Sequence, residues 1–268
     1  MAAFRGSMKK LIIAVLMLLA MPACALAQDD KGGNAITFST GIDYSSGRYG
    51  QPQSTDIVVG LSNVALTTGD FRFSASLPYL SIVGPPYVVI GPDGGLVLVT
   101  QKGAAKSTAR DGWGDLNLGT TYTWQPDGYE IDFTGNAKIA TADASKGLST
   151  GENDISFSAD VSRQFGSWSP FVTFGYLIPG SPKAYSLNSA PQFSVGTSVQ
   201  ITDDIVGTAS YDFNGAITPT LSDAQQLFAA GSWLFTDSLS FTVYAEYGLA
   251  AGAPNQGTGL LISWKLPV

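Results

Sequence analysis

Residues 129–140 read "YEIDFTGNAKIA", and two sequences are interleaved in them. Tyr129, Ile131, Phe133, Gly135, Ala137 and Ile139 are apolar or small, while Glu130, Asp132, Thr134, Asn136 and Lys138 are polar or charged. A period of two belongs to an extended strand, whose successive side chains leave opposite faces. One face of this strand suits water and the other an apolar medium.

The same alternation recurs roughly twelve times along the chain, each run bounded by turn residues. Ile36, Phe38, Thr40, Ile42 and Tyr44 form the first apolar set, and Phe71, Phe73, Ala75, Leu77 and Tyr79 the third. Leu116 to Trp124, Ile155 to Val161, Trp168 to Tyr176 and Phe193 to Ile201 repeat it, as do four further runs up to Leu266. The second, "DIVVGLSNVAL", is blurred. Connections alternate too. Short turns ("TTGD", "QPDG", "FGS", "TDD", "FTDS") follow even-numbered runs, and longer loops rich in Gly, Pro, Ser and Asn follow odd-numbered ones. Tight turns at one rim and long loops at the other predict an antiparallel up-and-down transmembrane β-barrel of about twelve strands, with short periplasmic turns and long extracellular loops.

A soluble β-sandwich or lipocalin has the same parity with its apolar face turned inward. Two features favour the membrane. The polar face is mainly Ser, Thr, Gly, Asn and Gln, whereas a sheet facing water carries many charges. Aromatic residues also gather at strand ends on the apolar parity: Tyr44, Tyr79, Tyr176 and Tyr247 at the long-loop rim, Trp124, Tyr129, Trp168, Trp233 and Trp264 at the other. Two such rings are the girdles of a barrel in lipid. No acidic or basic residue falls on the apolar parity if the sixth strand ends at Ser162, before Arg163. A charge there at mid-bilayer costs about 2–4 kcal/mol.

Composition agrees. Charged residues make up 13% of the 268, against roughly 25% in a soluble domain. Lys9 and Lys10, the apolar run "LIIAVLMLLAM" and Ala25-Leu26-Ala27 have the order of a secretory signal peptide over residues 1–27. Met8 is an alternative start, and Cys24 an alternative lipoprotein cysteine. Cleavage leaves residues 28–268 as one barrel domain with 11 basic against 21 acidic residues, a net charge of −10. The sole cysteine leaves with the leader, so no disulfide or thiolate metal site is expected. An acidic chain without basic clusters is not a nucleic-acid binder.

Several stretches resemble the outer-membrane family named for the MetA-pathway of phenol degradation, described as transporters. They are Leu77-Pro78-Tyr79, "GWGDLNLGTTY" from Gly112, "STGEND" from Ser149, and Gly175-Tyr176. The resemblance covers most of residues 70–268. It implies an outer-membrane barrel of a Gram-negative bacterium that passes small, aromatic or hydrophobic compounds, and it supplies no catalytic residues. The chain departs from many such barrels by ending in Val268 rather than an aromatic residue, though Gly259-Leu260-Leu261-Ile262-Ser263-Trp264 resembles a signal for the barrel-assembly machinery.

On the polar parity, Asp43, Arg72, Asp115, Asn117, Glu130, Asp132, Lys138, Asp160, Asp212, Glu246 and Lys265 are expected to line the lumen. An acidic lumen favours cations or neutral solutes. The same charges, paired across a narrow interior, would instead plug it. Residues 84–112, "GPPYVVIGPDGGLVLVTQKGAAKSTARDG", contain a hairpin signal at "GPDGG". The favoured expectation is a hairpin prolonging two barrel strands above the membrane, with an inward constriction and an outward binding element as alternatives. Lys102, Lys106 and Arg110 are candidate contacts for lipopolysaccharide phosphates, or otherwise a solvated loop edge.

The chain has no histidine, the usual acid or base of outer-membrane hydrolases, so no enzymatic activity or catalytic residue is expected. No cofactor or metal site is expected either, since the acidic loops lack calcium-ligand spacing. The expected partners are membrane lipid and a small-molecule solute. Two function classes stand: a passive channel, and a closed barrel serving structure or surface contact.

Overall fold

The computed structural model describes residues 11–14, 17–18, 21–22, 25–28, 34–92, 97–99 and 106–268. Its strands are β1 (Ala35–Gly47), β2 (Thr55–Thr68), β3 (Phe71–Ser76), β4 (Tyr79–Gly84), β5 (Val88–Ile90), β6 (Val97–Val99), β7 (Thr108–Trp113) and β8 (Leu116–Trp124). They continue with β9 (Tyr129–Ile139), β10 (Asp154–Arg163), β11 (Trp168–Ile178), β12 (Ala190–Gln200), β13 (Ile205–Asn214), β14 (Ala224–Leu234), β15 (Leu239–Gly248) and β16 (Gln256–Pro267). β1 pairs β2, β2 pairs both β3 and β4, β3 pairs β8 and β4 pairs β7, and from β8 to β16 neighbours pair antiparallel in sequence order; β5 and β6 pair only with each other, and β16 pairs β1 from Gln256↔Ser46 to Pro267↔Ala35, which closes the sheet. Closure pairs both edges of the staves through the body of the barrel, the condition for a sheet to span lipid; at the long-loop rim, among the described residues, β7 pairs on one side alone, with β4.

Twelve staves result, because two of them are interrupted. β3 and β4 form one stave broken at Leu77-Pro78, both halves pairing with β2. β7 and β8 form the next, broken at Gly114-Asp115. Proline has no N–H to give the ladder, and the gap is bridged by Gly114 N donating to Pro78 O at 2.8 Å. The third stave therefore does not close at Tyr79, as the alternation suggested, but continues to Gly84. The short turns need backbone that L side chains resist. Asp127 and Gly128, both at positive φ, make the tight "DG" turn between β8 and β9.

The apolar parity faces outward and stays exposed. Phe133, Phe157 and Val195 keep 46%, 55% and 45% of their surface accessible, which a sandwich core would have hidden. In lipid that surface is solvated by hydrocarbon, so no protein contact needs to cover it. The girdle residues Tyr44, Tyr79, Trp124, Tyr129, Trp168, Tyr176, Trp233, Tyr247 and Trp264 are all exposed as well. Arg163 differs from its expectation. β10 includes it, and its guanidinium lies over the rings of Tyr129 (4.7 Å) and Phe165 (5.2 Å) while donating to Tyr129 Oη at 3.1 Å. At the rim, a cation over aromatic faces is stabilised, so the penalty for a charge at mid-bilayer does not arise.

The expected signal peptide lies largely outside the described residues. The described stretches Leu11–Ala14, Met17–Leu18, Met21–Pro22 and Ala25–Gln28 pair only among themselves.

Candidate functional site, a polar lumen under an apolar plug

Inward side chains follow the polar parity through most of the barrel. Asp43, Asp115, Asn117, Asp132, Lys138, Asp160 and Asp212 are buried inside, and Arg72, Glu130, Glu246 and Lys265 are half-buried. Cross-strand register joins part of this set into a row: Thr123↔Asp132, Asp132↔Asp160, Asp160↔Thr173, Thr173↔Ser194, Ser194↔Asp212 and Asp212↔Gln226. The row begins beside the short turn after Trp124 and ends beside the long loop before Ala224, so it climbs the wall as tilted staves require.

Its carboxylates are satisfied by hydroxyls along the wall. Thr123 donates to Asp132 and Thr173 to Asp160, each at 2.6 Å, and Ser194 and Ser210 donate to Asp212. Tyr244 Oη donates to Asp43 at 2.9 Å, Gln226 to Glu246 at 3.4 Å, and Gln125 to Glu130 at 2.9 Å. Arg72 Nε is buried without an acceptor. With Thr173, Ser194, Ser198 and Ser232 nearly inaccessible, little room for water remains beside the middle of the row.

The family-like stretches converge on one lysine. Lys138, fully buried on β9, contacts Asp115 Oδ2 at 2.6 Å and Asp154 Oδ2 at 2.9 Å. It also donates to Glu152 O at 3.0 Å and reaches Ser149 and Thr150. Asp115 Oδ1 accepts from the N–H groups of Thr141 and Ala142 at 2.9 Å each, Ser149 donates to Asp115, and Gly180 N donates to Asp154 at 2.8 Å. One ammonium and several main-chain N–H groups thus compensate two buried carboxylates, as buried charge requires. The Asp115 of "GWGD" and the Asp154 of "STGEND" are remote in sequence; together they fasten the loop 140–153 to the barrel. Asp143 caps the short turn Ala144–Lys146 in that loop, and the Ser145 hydroxyl holds its pKa below the ordinary carboxylate value.

That loop is the seat of a plug. β5 does not rise above the barrel but folds into its long-loop end. Val88 and Ile90 pack with Tyr49, Ile57, Val59, Leu80, Ile82 and Leu148, and Val89 packs with Leu177, Ala190 and Ile217. The segment therefore touches the β2–β4 wall, the β11–β12 wall and the 215–223 loop. β4 and β7 pair as a hairpin that prolongs two barrel strands, but residues 85–90 follow the inward alternative. The reason is apolar burial, worth about 1.5–3 kcal/mol for each such side chain. The turn "GPDGG" lies partly outside the described residues.

Arg110 ties the plug down from β7. Its guanidinium donates to Gly84 O at 3.3 Å, Pro85 O at 3.4 Å and Val88 O, and burial lowers its pKa. It faces the throat, not the surface where lipopolysaccharide would lie; Lys106 is exposed, and Lys102 is outside the described residues. Sequence reasoning held the inward segment only as an alternative and missed its lining, though a signal existed. The second run is blurred because Ile57, Val59 and Leu61 point inward toward an apolar plug while Val58, Val64 and Leu66 lie on the opposite parity.

A family model described as "Putative MetA-pathway of phenol degradation" matches residues 12–266. No curated protein shows significant sequence similarity to the chain. Among solved structures, the COG4313 outer membrane channel from Pseudomonas putida superposes with a TM-score of 0.65 at 10% identity, covering 88% of this chain and 98% of that one. The NanC porin gives 0.55 at 9% identity, covering 85% and 100%. The translocator domain of the autotransporter NalP from Neisseria meningitidis gives 0.50 at 12% identity, covering 88% and 90%. At such identities the likeness is one of fold: an outer-membrane barrel.

Proposed function

Because the chain belongs to the outer-membrane β-barrel family described as "Putative MetA-pathway of phenol degradation", we propose that it is a passive, non-enzymatic channel for small apolar molecules, aromatic ones included. The observation that carries this reading is the plug. At the long-loop end, where a molecule from outside arrives, the lining changes from Ser, Thr and Asp to Val88, Val89, Ile90, Ile57, Leu80 and Ile82. An apolar throat favours solutes that lose little hydration on entering and disfavours sugars and ions. The leader 1–27 directs export, the last stave carries the assembly signal, and lipid with lipopolysaccharide surrounds the barrel.

A second reading, a closed barrel serving structure or surface contact, draws support from the packed middle of the lumen. Planar-bilayer conductance and liposome uptake separate the two. A variant with Val88, Val89 and Ile90 all replaced by serine is expected to give larger, longer current steps than the wild type. Wild-type liposomes are expected to admit neutral aromatic solutes faster than sugars. No current from either protein rejects the channel, and uptake of sugars alone rejects the apolar solute.

A further inference from the structure

Among the described strands of the barrel, Arg163 is the one basic residue on the lipid-facing parity, and it is the last residue of β10, at the short-turn rim. The rings of Tyr129 and Phe165 stand against its guanidinium at 4.7 and 5.2 Å, and Nη1 donates to Tyr129 Oη at 3.1 Å. A guanidinium carries five N–H donors in its plane, so stacking on its faces leaves the edges for an oxyanion. Among the described residues no other hydrogen bond uses those edges, and none of the Arg163 nitrogens is a buried, unpaired atom. They open onto the rim.

Charge at this rim has a pattern. Four of the five short turns carry exposed aspartate, at Asp70, Asp127, Asp203, Asp204 and Asp237. The fifth turn, residues 164–167, follows Arg163 and holds no acid. An anion approaching the rim is therefore repelled at four turns and attracted at one. From Arg163 toward mid-bilayer the outer wall is aliphatic, with Ile131, Val161 and Val172 paired across three neighbouring staves. Trp124 and Trp168 stand exposed on the staves at either side, as girdle residues at the headgroup level do.

We propose that Arg163 and Tyr129 form a binding site for the phosphate of an anionic phospholipid, whose acyl chain lies along Ile131, Val161 and Val172. The guanidinium edge donates to the phosphate oxygens, the pairing for which its planar fork is suited. The Tyr129 hydroxyl accepts from Arg163 and keeps its own O–H to donate to the same phosphate. Short turns face the periplasm, so the occupant is a phospholipid of that leaflet and not lipopolysaccharide. The site concerns how the barrel is held in its membrane and stands apart from the solute that crosses it.

The test counts lipids bound to the refolded mature barrel by native mass spectrometry, with phosphatidylglycerol and phosphatidylcholine of the same acyl chains as probes. Both carry the phosphate, but choline offsets its charge. One arginine at the membrane surface predicts that the first phosphatidylglycerol binds about fivefold more tightly than phosphatidylcholine. The preference is expected to shrink as salt is raised and to disappear in Arg163→Gln, with heat-modifiable gel migration reporting folding separately. Lys106→Gln, which removes the same charge from an exposed position on the long-loop side, is expected to keep it. Equal binding of the two lipids to the wild type overturns the site, as does a preference that salt does not weaken. A preference that survives in folded Arg163→Gln, or that Lys106→Gln abolishes equally, also overturns it.

Discussion

Lys138 shows how much a single position can carry. In the sequence it is one more polar residue on the inward parity of β9, no different from Asn136 or Thr134. In the fold it is the cation on which Asp115, Asp154 and the loop 140–153 converge. Removing one partner of a buried charge pair strands the other, at a cost of about 3–5 kcal/mol. Lys138→Met is accordingly expected to lower unfolding stability by that order in denaturant titrations of the vesicle-inserted barrel. Adding Asp154→Asn should recover part of the loss, because it removes one stranded charge. A Lys138→Met barrel as stable as the wild type would mean that the carboxylates are held by the main-chain N–H groups alone. Arg163 makes the complementary point: a cation on the lipid-facing parity is tolerated where Tyr129 and Phe165 receive it at the rim.

Among the elements, the staves were legible in the sequence, while the plug was only one of three readings of residues 84–112. Alternation names a stave because a closed sheet in lipid has two media on its two sides, and each residue of β9, β12 or β16 obeys one of them. Where both media are apolar the code fails. β2 faces lipid with Val58, Val64 and Leu66, and faces β5 with Ile57 and Val59, so its run blurred. The same degeneracy made "YVVI" read as a strand prolonging the wall, when its residues bury on three sides. The lumen acids could be named from parity, yet their hydroxyl partners and the ion cluster of Lys138 depend on register between strands, which one sequence does not display. A prediction belongs at this scale. Cys24, within the expected leader, is the sequence's one cysteine, so Val89→Cys with Ile217→Cys in a chain that starts at Gln28 introduces the sole pair. Joining the two by oxidation or a short thiol-bridging reagent is expected to suppress whatever conductance the reduced protein shows, and reductant to restore it. Conductance unchanged by the bridge would place the path elsewhere than past β5.

The whole molecule is an amphipathic cylinder with its polarity inverted. Phenylalanine, leucine and valine face outward, and aspartate, serine and threonine face inward. The outer face is stable only in hydrocarbon, and the inner face only where hydroxyls and carboxylates satisfy one another. At the extracellular end this inversion is reversed once: an apolar segment enters the polar interior and finds apolar walls built to receive it. In the proposed channel, that reversal is what lets the closure select for apolar solutes. It is tested most directly by cysteine accessibility in intact cells, using a maleimide too polar to cross the membrane. With Lys106, an exposed position, as the control and Val88, 1% accessible, as the probe, the Lys106→Cys protein is expected to label quickly and the Val88→Cys protein to stay unlabelled until unfolded. Labelling of both at the same rate would put β5 outside the barrel and contradict the account.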